Sequence, residues 1–169
     1  RIARGCGADA VVSGMVAARE FALGSTEATL RAEGAGVTPH IVQLAGCEAA
    51  PMAQAARLAE ANGADAVDVN MGCPAKTVTG GAAGSALMRD LDQAERLLAA
   101  VRGAVSVPVT VKMRLGWDDA RRNAADLAAR AEGLGLNAVT VHGRTRQQFY
   151  KGRADWAAIR AVVEAVSIP

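Results

Sequence analysis

Short apolar stretches alternate along this chain with segments whose apolar residues recur at helical spacing. Residues 8–13, 40–45, 64–70, 107–112 and 137–142 are the apolar stretches, and Ala66-Val67-Asp68-Val69-Asn70 within them alternates apolar and polar. A period of two marks a strand with two unlike faces, so these five stretches are predicted strands. Between them, residues 51–61 are rich in Ala with Glu and Arg, and Ala94, Leu97, Leu98 and Val101 share one helical face. Asp92 with Glu95 resembles a capping box at the start of that second helix. Ala124, Leu127, Ala128 and Ala131 form a third face; Trp156, Ile159, Val163 and Val166 form a fourth. Strand starts lie roughly 25 to 45 residues apart, the size of a βα unit with its loops.

Two internal echoes support a repeated βα plan. Gly7-Ala8-Asp9-Ala10-Val11 recurs as Gly63-Ala64-Asp65-Ala66-Val67 and more loosely as Gly135-Leu136-Asn137-Ala138-Val139, each time where a helix ends at Gly and a strand begins. Ala104-Val105-Ser106-Val107-Pro108 recurs as Ala165-Val166-Ser167-Ile168-Pro169. By that analogy, Pro169 stands before a further strand. Repeated βα units build either a doubly wound sheet or a (β/α)8 barrel. Gln43, Asn70, Lys112 and His142 each fall near the carboxyl end of a different predicted strand, where barrel enzymes keep their chemistry. No Gly-rich turn follows the first strand, as a doubly wound sheet would favour. The expected fold is therefore α/β, a fragment holding about five of the eight strands of a TIM barrel.

Composition narrows the class without deciding it. The chain has 169 residues, 51% of them hydrophobic, and contains no apolar run long enough to span a bilayer. The amino-terminal residues lack a signal-peptide pattern, and a soluble cytoplasmic protein is expected. A net charge of +2 neither requires nor excludes a nucleic-acid partner, whereas 3% aromatic residues argue against a base-stacking platform. Cys6, Cys47 and Cys73 are odd in number and widely spaced, so neither a disulfide framework nor a metal site is expected. Cys6 and Cys47 read as small buried fillers.

Cys73 is different, because it sits where a strand gives way to a loop of about twenty residues containing Gly80, Gly81 and Gly84. Lys112 closes an apolar strand, where an ammonium is costly unless it meets an anion or an electron-rich ring. His142 is followed by Gly143-Arg144-Thr145-Arg146, the makings of an anion-binding corner. Gln43 and Asn70 are amides able to read the edge of a heterocycle.

Asn70-Met71-Gly72-Cys73-Pro74 with Gly80-Gly81 and Leu87-Met88-Arg89-Asp90, then Val111-Lys112-Met113-Arg114-Leu115-Gly116, then Val141-His142-Gly143-Arg144-Thr145, closely resemble the tRNA-dihydrouridine synthases of bacterial type. The resemblance implies an FMN-dependent TIM barrel that reduces the C5=C6 bond of specific tRNA uridines with NADPH (or NADH). It places the motif cysteine on Cys73 as proton donor, and the FMN contacts on Gln43, Lys112 and His142. Asn70 falls beside flavin and substrate; Arg144, Arg146 and Arg114 fall where substrate or phosphate is met. A free thiol has a pKa of about 8.5 and is mostly protonated at pH 7, which suits a general acid. The expected partner is tRNA, with no metal, no membrane and a monomeric full-length protein.

Against the family's extent, the first strand with its Pro-Met loop, the last two strands with their phosphate-holding glycines, and the carboxyl-terminal helical tRNA-binding domain lie outside these residues. The chain is thus expected to be an internal part of one barrel domain. Two other readings share some features. One is another FMN barrel acting on a free pyrimidine, of the dihydroorotate-dehydrogenase type, and the other a non-catalytic RNA-binding remnant.

Overall fold

The computed structural model describes residues 2–34 and 36–169. The elements run α1 (Ile2–Gly5), β1 (Val11–Val12), β2 (Val16–Ala17), α2 (Ala18–Ala22), α3 (Thr26–Ala32), β3 (His40–Ala45), α4 (Ala49–Ala61) and β4 (Ala66–Met71). They continue with α5 (Lys76–Thr79), a 3₁₀ segment (Gly84–Arg89), α6 (Leu91–Arg102), β5 (Val109–Arg114), α7 (Ala124–Gly133), β6 (Ala138–His142) and α8 (Trp156–Ala165). All strand pairs are parallel, in the order β1-β3-β4-β5-β6, with β2 also lying on β3. Spatial order follows chain order without reversal. A doubly wound sheet reverses at a switch point, so this sheet is a half-barrel with five strand positions.

Register explains why the faces differ. Leu44, Val69, Val111 and Val139 are cross-strand partners, as are Val42, Val67 and Val109. Of these, Val42, Leu44, Val67, Val69, Val109 and Val111 are fully buried. They face the helix layer: α4 packs on β3 and β4, and α7 packs on β5 and β6. The helices answer with Met52, Ala55, Ala56 and Ala59 from α4, Leu97, Leu98 and Val101 from α6, and Leu127, Ala128 and Ala131 from α7. Each buried Val or Leu contributes about 1.5–3 kcal/mol. Because alternate residues point to opposite faces, the same register puts Gln43, Asp68 and Thr110 in one row on the other face. Asn70, Lys112 and Thr140 form the next row.

Several local expectations change. The first predicted strand, 8–13, is two short pieces, β1 and β2. Between them the Ser13 hydroxyl accepts from the Gln43 backbone N–H (3.0 Å), in the role of a strand carbonyl. The N-cap of α6 is Asp90, which accepts from the Gln93 N–H (2.9 Å), and not Asp92. The stretch after Cys73 is folded as α5 and a buried 3₁₀ segment, not a long open loop. Cys47 packs against the core, but Cys6 is exposed in the turn after α1. On α8 the buried residue is Val162; Trp156 and Val163, expected in the core, are 80% and 66% exposed. The helix meets α7 along one side, and nothing among the described residues covers the other.

At the amino ends of the strands, both sequence echoes become repeated hydrogen bonds. Glu60 of α4 accepts from the Ser106 N–H (2.8 Å), the Ser106 hydroxyl (2.5 Å) and the Val107 N–H (3.0 Å). Glu132 of α7 accepts from the N–H groups of Ser167 (2.8 Å) and Ile168 (3.1 Å). Five residues on from each glutamate, Asp65 accepts from the His40 N–H (2.6 Å) and Asn137 from the Val109 N–H (2.9 Å). The Val67 N–H donates to the Pro108 carbonyl and the Val139 N–H to that of Pro169. The two units therefore share one closure at their lower ends.

Three donors, the Ser106 hydroxyl first, hold the Glu60 carboxyl below its ordinary value of 4.5. A depressed folded-state pKa means that this support is complete above the unfolded value and is lost as pH falls through the folded one. In the full-length protein, Glu60→Ala should lower the urea midpoint at pH 7. The gap from the parent should narrow as pH is taken below about 4.5. Equal midpoints at pH 7 would show that the clamp contributes nothing.

Candidate active site

The carboxyl end of the sheet is organised by one side chain. Asn70, 8% exposed near the end of β4, accepts at Oδ1 from the N–H groups of Gly72 (3.2 Å) and Cys73 (2.9 Å). Its Nδ2 donates to Gln43 Oε1 (2.8 Å). Gln43 Nε2 donates in turn to Asp68 Oδ2 (2.7 Å), and the Thr110 hydroxyl donates to Asp68 Oδ1 (2.6 Å). Asn70 thus turns the chain out of β4 and ties that turn to β3.

The Cys73 backbone is held on both sides. Its carbonyl accepts from the Ser85 N–H (3.0 Å) and the Ser85 hydroxyl (2.8 Å), and Ser85 is fully buried. This return is possible because Gly84 lies next to it. At φ +60°, a Cβ on Gly84 would sit 2.8 Å from the Cys73 carbonyl oxygen, so no side chain fits. Cys73 itself is half-buried.

Lys112 is the cross-strand partner of Asn70. Burial first, then the Arg114 charge, push its ammonium pKa down, while Asp68 and Cys73 oppose the shift. It has no hydrogen bond or ion pair among the described residues. His142, opposite Arg114 in the sheet, is likewise shifted down by burial and by Arg114, Lys112 and Arg144. It is therefore neutral at pH 7. Its Nε2 lies 3.0 Å from Arg144 Nη1, and a guanidinium only donates. The histidine proton must then sit on Nδ1.

The three arginines divide. Arg114 is 2% exposed, and its Nε donates to the Gly72 carbonyl (2.8 Å) while Nη1 donates to those of Thr145 (3.1 Å) and Phe149 (2.8 Å). It binds the Cys73 turn to the loop after β6. Arg144 lies against His142 and donates from Nη2 to the Gly152 carbonyl (2.9 Å), with its Nε unpartnered. Arg146 lies over the Trp117 ring at 4.7 Å, and Arg89 lies over the same ring at 5.0 Å; the Arg146 Nε is also unpartnered.

The structure thus joins Gln43, Asn70, Cys73, Lys112 and His142 at one end of the sheet, with Arg144 alongside. Arg146 stands apart on Trp117. Sequence reasoning missed Asp68, Thr110 and Ser85. The signal for Asp68 was its place two residues before Asn70, which puts both on one face. No group of three or more His, Cys, Asp or Glu side chains that could hold a metal occurs among the described residues, nor any helix long and apolar enough to cross a membrane.

A parallel half-barrel that gathers amides, a lysine, a histidine and a thiol at the carboxyl ends of its strands has the mouth of a barrel enzyme. The family model described as "Dihydrouridine synthase (Dus)" matches residues 1–169. A "Probable tRNA-dihydrouridine synthase" of Rhizobium leguminosarum bv. phaseoli is 58% identical over 163 residues, 96% of this chain and 51% of that protein. One of the same description from Rhodobacter capsulatus is 58% identical over 165 residues, 96% and 51%. "tRNA-dihydrouridine synthase B" of Pseudomonas putida is 47% identical over 164 residues, 96% and 49%. The chain belongs to the dihydrouridine synthase family, and it spans about half the length of these curated relatives.

Arg114→Met should destabilise the full-length protein by about 3 kcal/mol, because buried carbonyls lose a charged donor. Arg114→Lys should restore little, since an ammonium cannot reproduce the planar fork. Urea unfolding of both variants checks this. A lysine variant as stable as the parent would show that charge alone suffices.

Proposed function

We propose that this chain is the central part of the barrel of an FMN-dependent tRNA-dihydrouridine synthase. The supporting observation is the hydrogen-bonded row Asp68–Gln43–Asn70, which ends on the Cys73 backbone next to Lys112. The residues fit FMN. Gln43 and Asn70 each retain an amide N–H, His142 a ring N–H, and Lys112 an unpaired ammonium, whereas the flavin ring edge is rich in carbonyl and nitrogen acceptors. When bound, FMN supplies a hydride equivalent for C6 of the uracil ring, drawn in turn from NADPH or NADH.

Cys73 donates its thiol proton to C5, which completes the reduction of the C5=C6 bond, and the thiolate recovers a proton from water. Lys112 meets negative charge at the cofactor ring. Its own pKa is depressed first by burial and then by the Arg114 charge, and both costs are offset by an incoming anion. Asn70 and Gln43 position ring edges, and the guanidinium groups of Arg144 and Arg146 meet nucleotide phosphate. Arg114 holds the turn and does not touch the substrate. A uridine within folded tRNA must be turned out of its stack to reach this mouth. The remaining strands and a helical tRNA-binding domain lie in the rest of a monomeric, cytoplasmic protein.

In the full-length protein, Cys73→Ala should leave flavin reduction by NADPH nearly unchanged. Dihydrouridine formation should fall by about 10² to 10⁴, as expected for a lost positioned acid. Single-turnover kinetics resolves the two half-reactions, and equal slowing of both would remove Cys73 from this role.

Residues 1–169 expressed alone should associate, unfold at low temperature and retain no FMN. The sheet has open edges at β1 and β6, which a closed barrel would pair. Sedimentation, thermal unfolding and flavin absorbance measure this. A yellow, monodisperse monomer would refute the incomplete-barrel reading.

A further inference from the structure

We propose that Asp68 is a positioning residue that sets the orientation of Gln43 and Asn70, and through them the pose of the Cys73 turn. Asp68 sits one cross-strand row below Asn70 and Lys112 and is 5% exposed. As a carboxylate it only accepts hydrogen bonds. Gln43 must therefore turn its Nε2 toward Asp68, which leaves its Oε1 facing Asn70. Asn70 must then present Nδ2 to Gln43, so that its Oδ1 faces the N–H groups of Gly72 and Cys73.

The row begins at a group that cannot donate and ends at backbone groups that cannot accept. Every amide between them has a single permitted sense. Reversing either amide would set donor against donor and acceptor against acceptor, and buried mismatches of this kind cost about 1–3 kcal/mol each. The Thr110 hydroxyl occupies the other oxygen of Asp68 and fixes its plane. With the inner hydrogen bonds committed, Gln43 and Asn70 each have one N–H left over. These two donors and the Lys112 ammonium make the mouth selective for a ring edge of acceptors. Burial raises the Asp68 pKa, while Thr110, Gln43 and Lys112 favour its charged form.

The catalytic consequence rests on the dihydrouridine synthase reading, but the effect on Cys73 does not. In the full-length protein, iodoacetamide labelling followed by peptide mass spectrometry reads Cys73, with exposed Cys6 as internal reference. Asp68→Ala should speed Cys73 labelling about tenfold, the weight of one lost hydrogen bond, with Cys6 unchanged. Asp68→Asn should return the rate close to that of the parent, since its Oδ1 can still accept from Gln43 and its Nδ2 can donate to the Thr110 oxygen. Gln43→Met should match Asp68→Ala, and the double variant should add little, because both break the same row. If Asp68→Ala does not fold, Asp68→Leu carries the comparison.

In turnover, Asp68→Ala should lower kcat more than it raises KM for tRNA, and Asp68→Asn should restore kcat. Cys73 labelling equal in parent and Asp68→Ala, or additive effects in the double variant, would overturn the positioning role. A parent that labels as described but forms no dihydrouridine would instead refute the functional reading and leave the relay standing.

Discussion

Cross-strand register is the constraint on which everything else in this half-barrel depends. The buried ladder of Leu44, Val69, Val111 and Val139 fixes how far each strand slides against the next. A slip of one residue would place valines in the mouth and Asp68 or Lys112 under the helices. The apolar face thus pins the polar one. Gln43 meets Asp68, and Asn70 meets Lys112, because their neighbours on the other side of the sheet have no alternative packing.

The strands and their polar ends were legible because period two is a property of sequence alone. Gln43, Asn70, Lys112 and His142 were visible for that reason, and the sheet brings them together. What was not legible depends on partners distant in sequence. Arg114 was read only as a contact to substrate or phosphate; the clamp that its Nε and Nη1 make on carbonyls at Gly72, Thr145 and Phe149 is something no local pattern reveals. The first strand was read as continuous, because nothing local shows that the Ser13 hydroxyl would replace a strand carbonyl. Ser85 and Gly84 looked like part of an aperiodic loop. Their roles follow from the Cys73 carbonyl twelve residues earlier in the chain. Trp156 and Val163 fit a helical stripe, but periodicity does not say what will cover it.

The mouth is built with an excess of donors. Burial and neighbouring positive charge depress the pKa values of Lys112, Arg114 and His142, and Asp68, one cross-strand row below Lys112, is the buried carboxylate beside them among the described residues. Clustering partly buried donors of like charge is costly, and an acceptor-rich or anionic ligand relieves that cost. The same group would be a poor choice for stability alone, where apolar residues of similar volume often do as well or better.

The two ends of the sheet carry different duties. At the amino ends, Glu60 and Glu132 repeat one closure in successive units, and Asp65 and Asn137 repeat another. At the carboxyl ends no such repeat occurs among the described residues: the strands end in an asparagine turn, an arginine clamp and a histidine–arginine contact. Repetition below is what a fold made of equivalent βα units needs in order to close. Its absence above leaves each strand end free to carry a different side chain. In this architecture the lower closures reinforce the register that the apolar face sets, and the register brings unlike polar residues together at the end where barrel enzymes keep their sites.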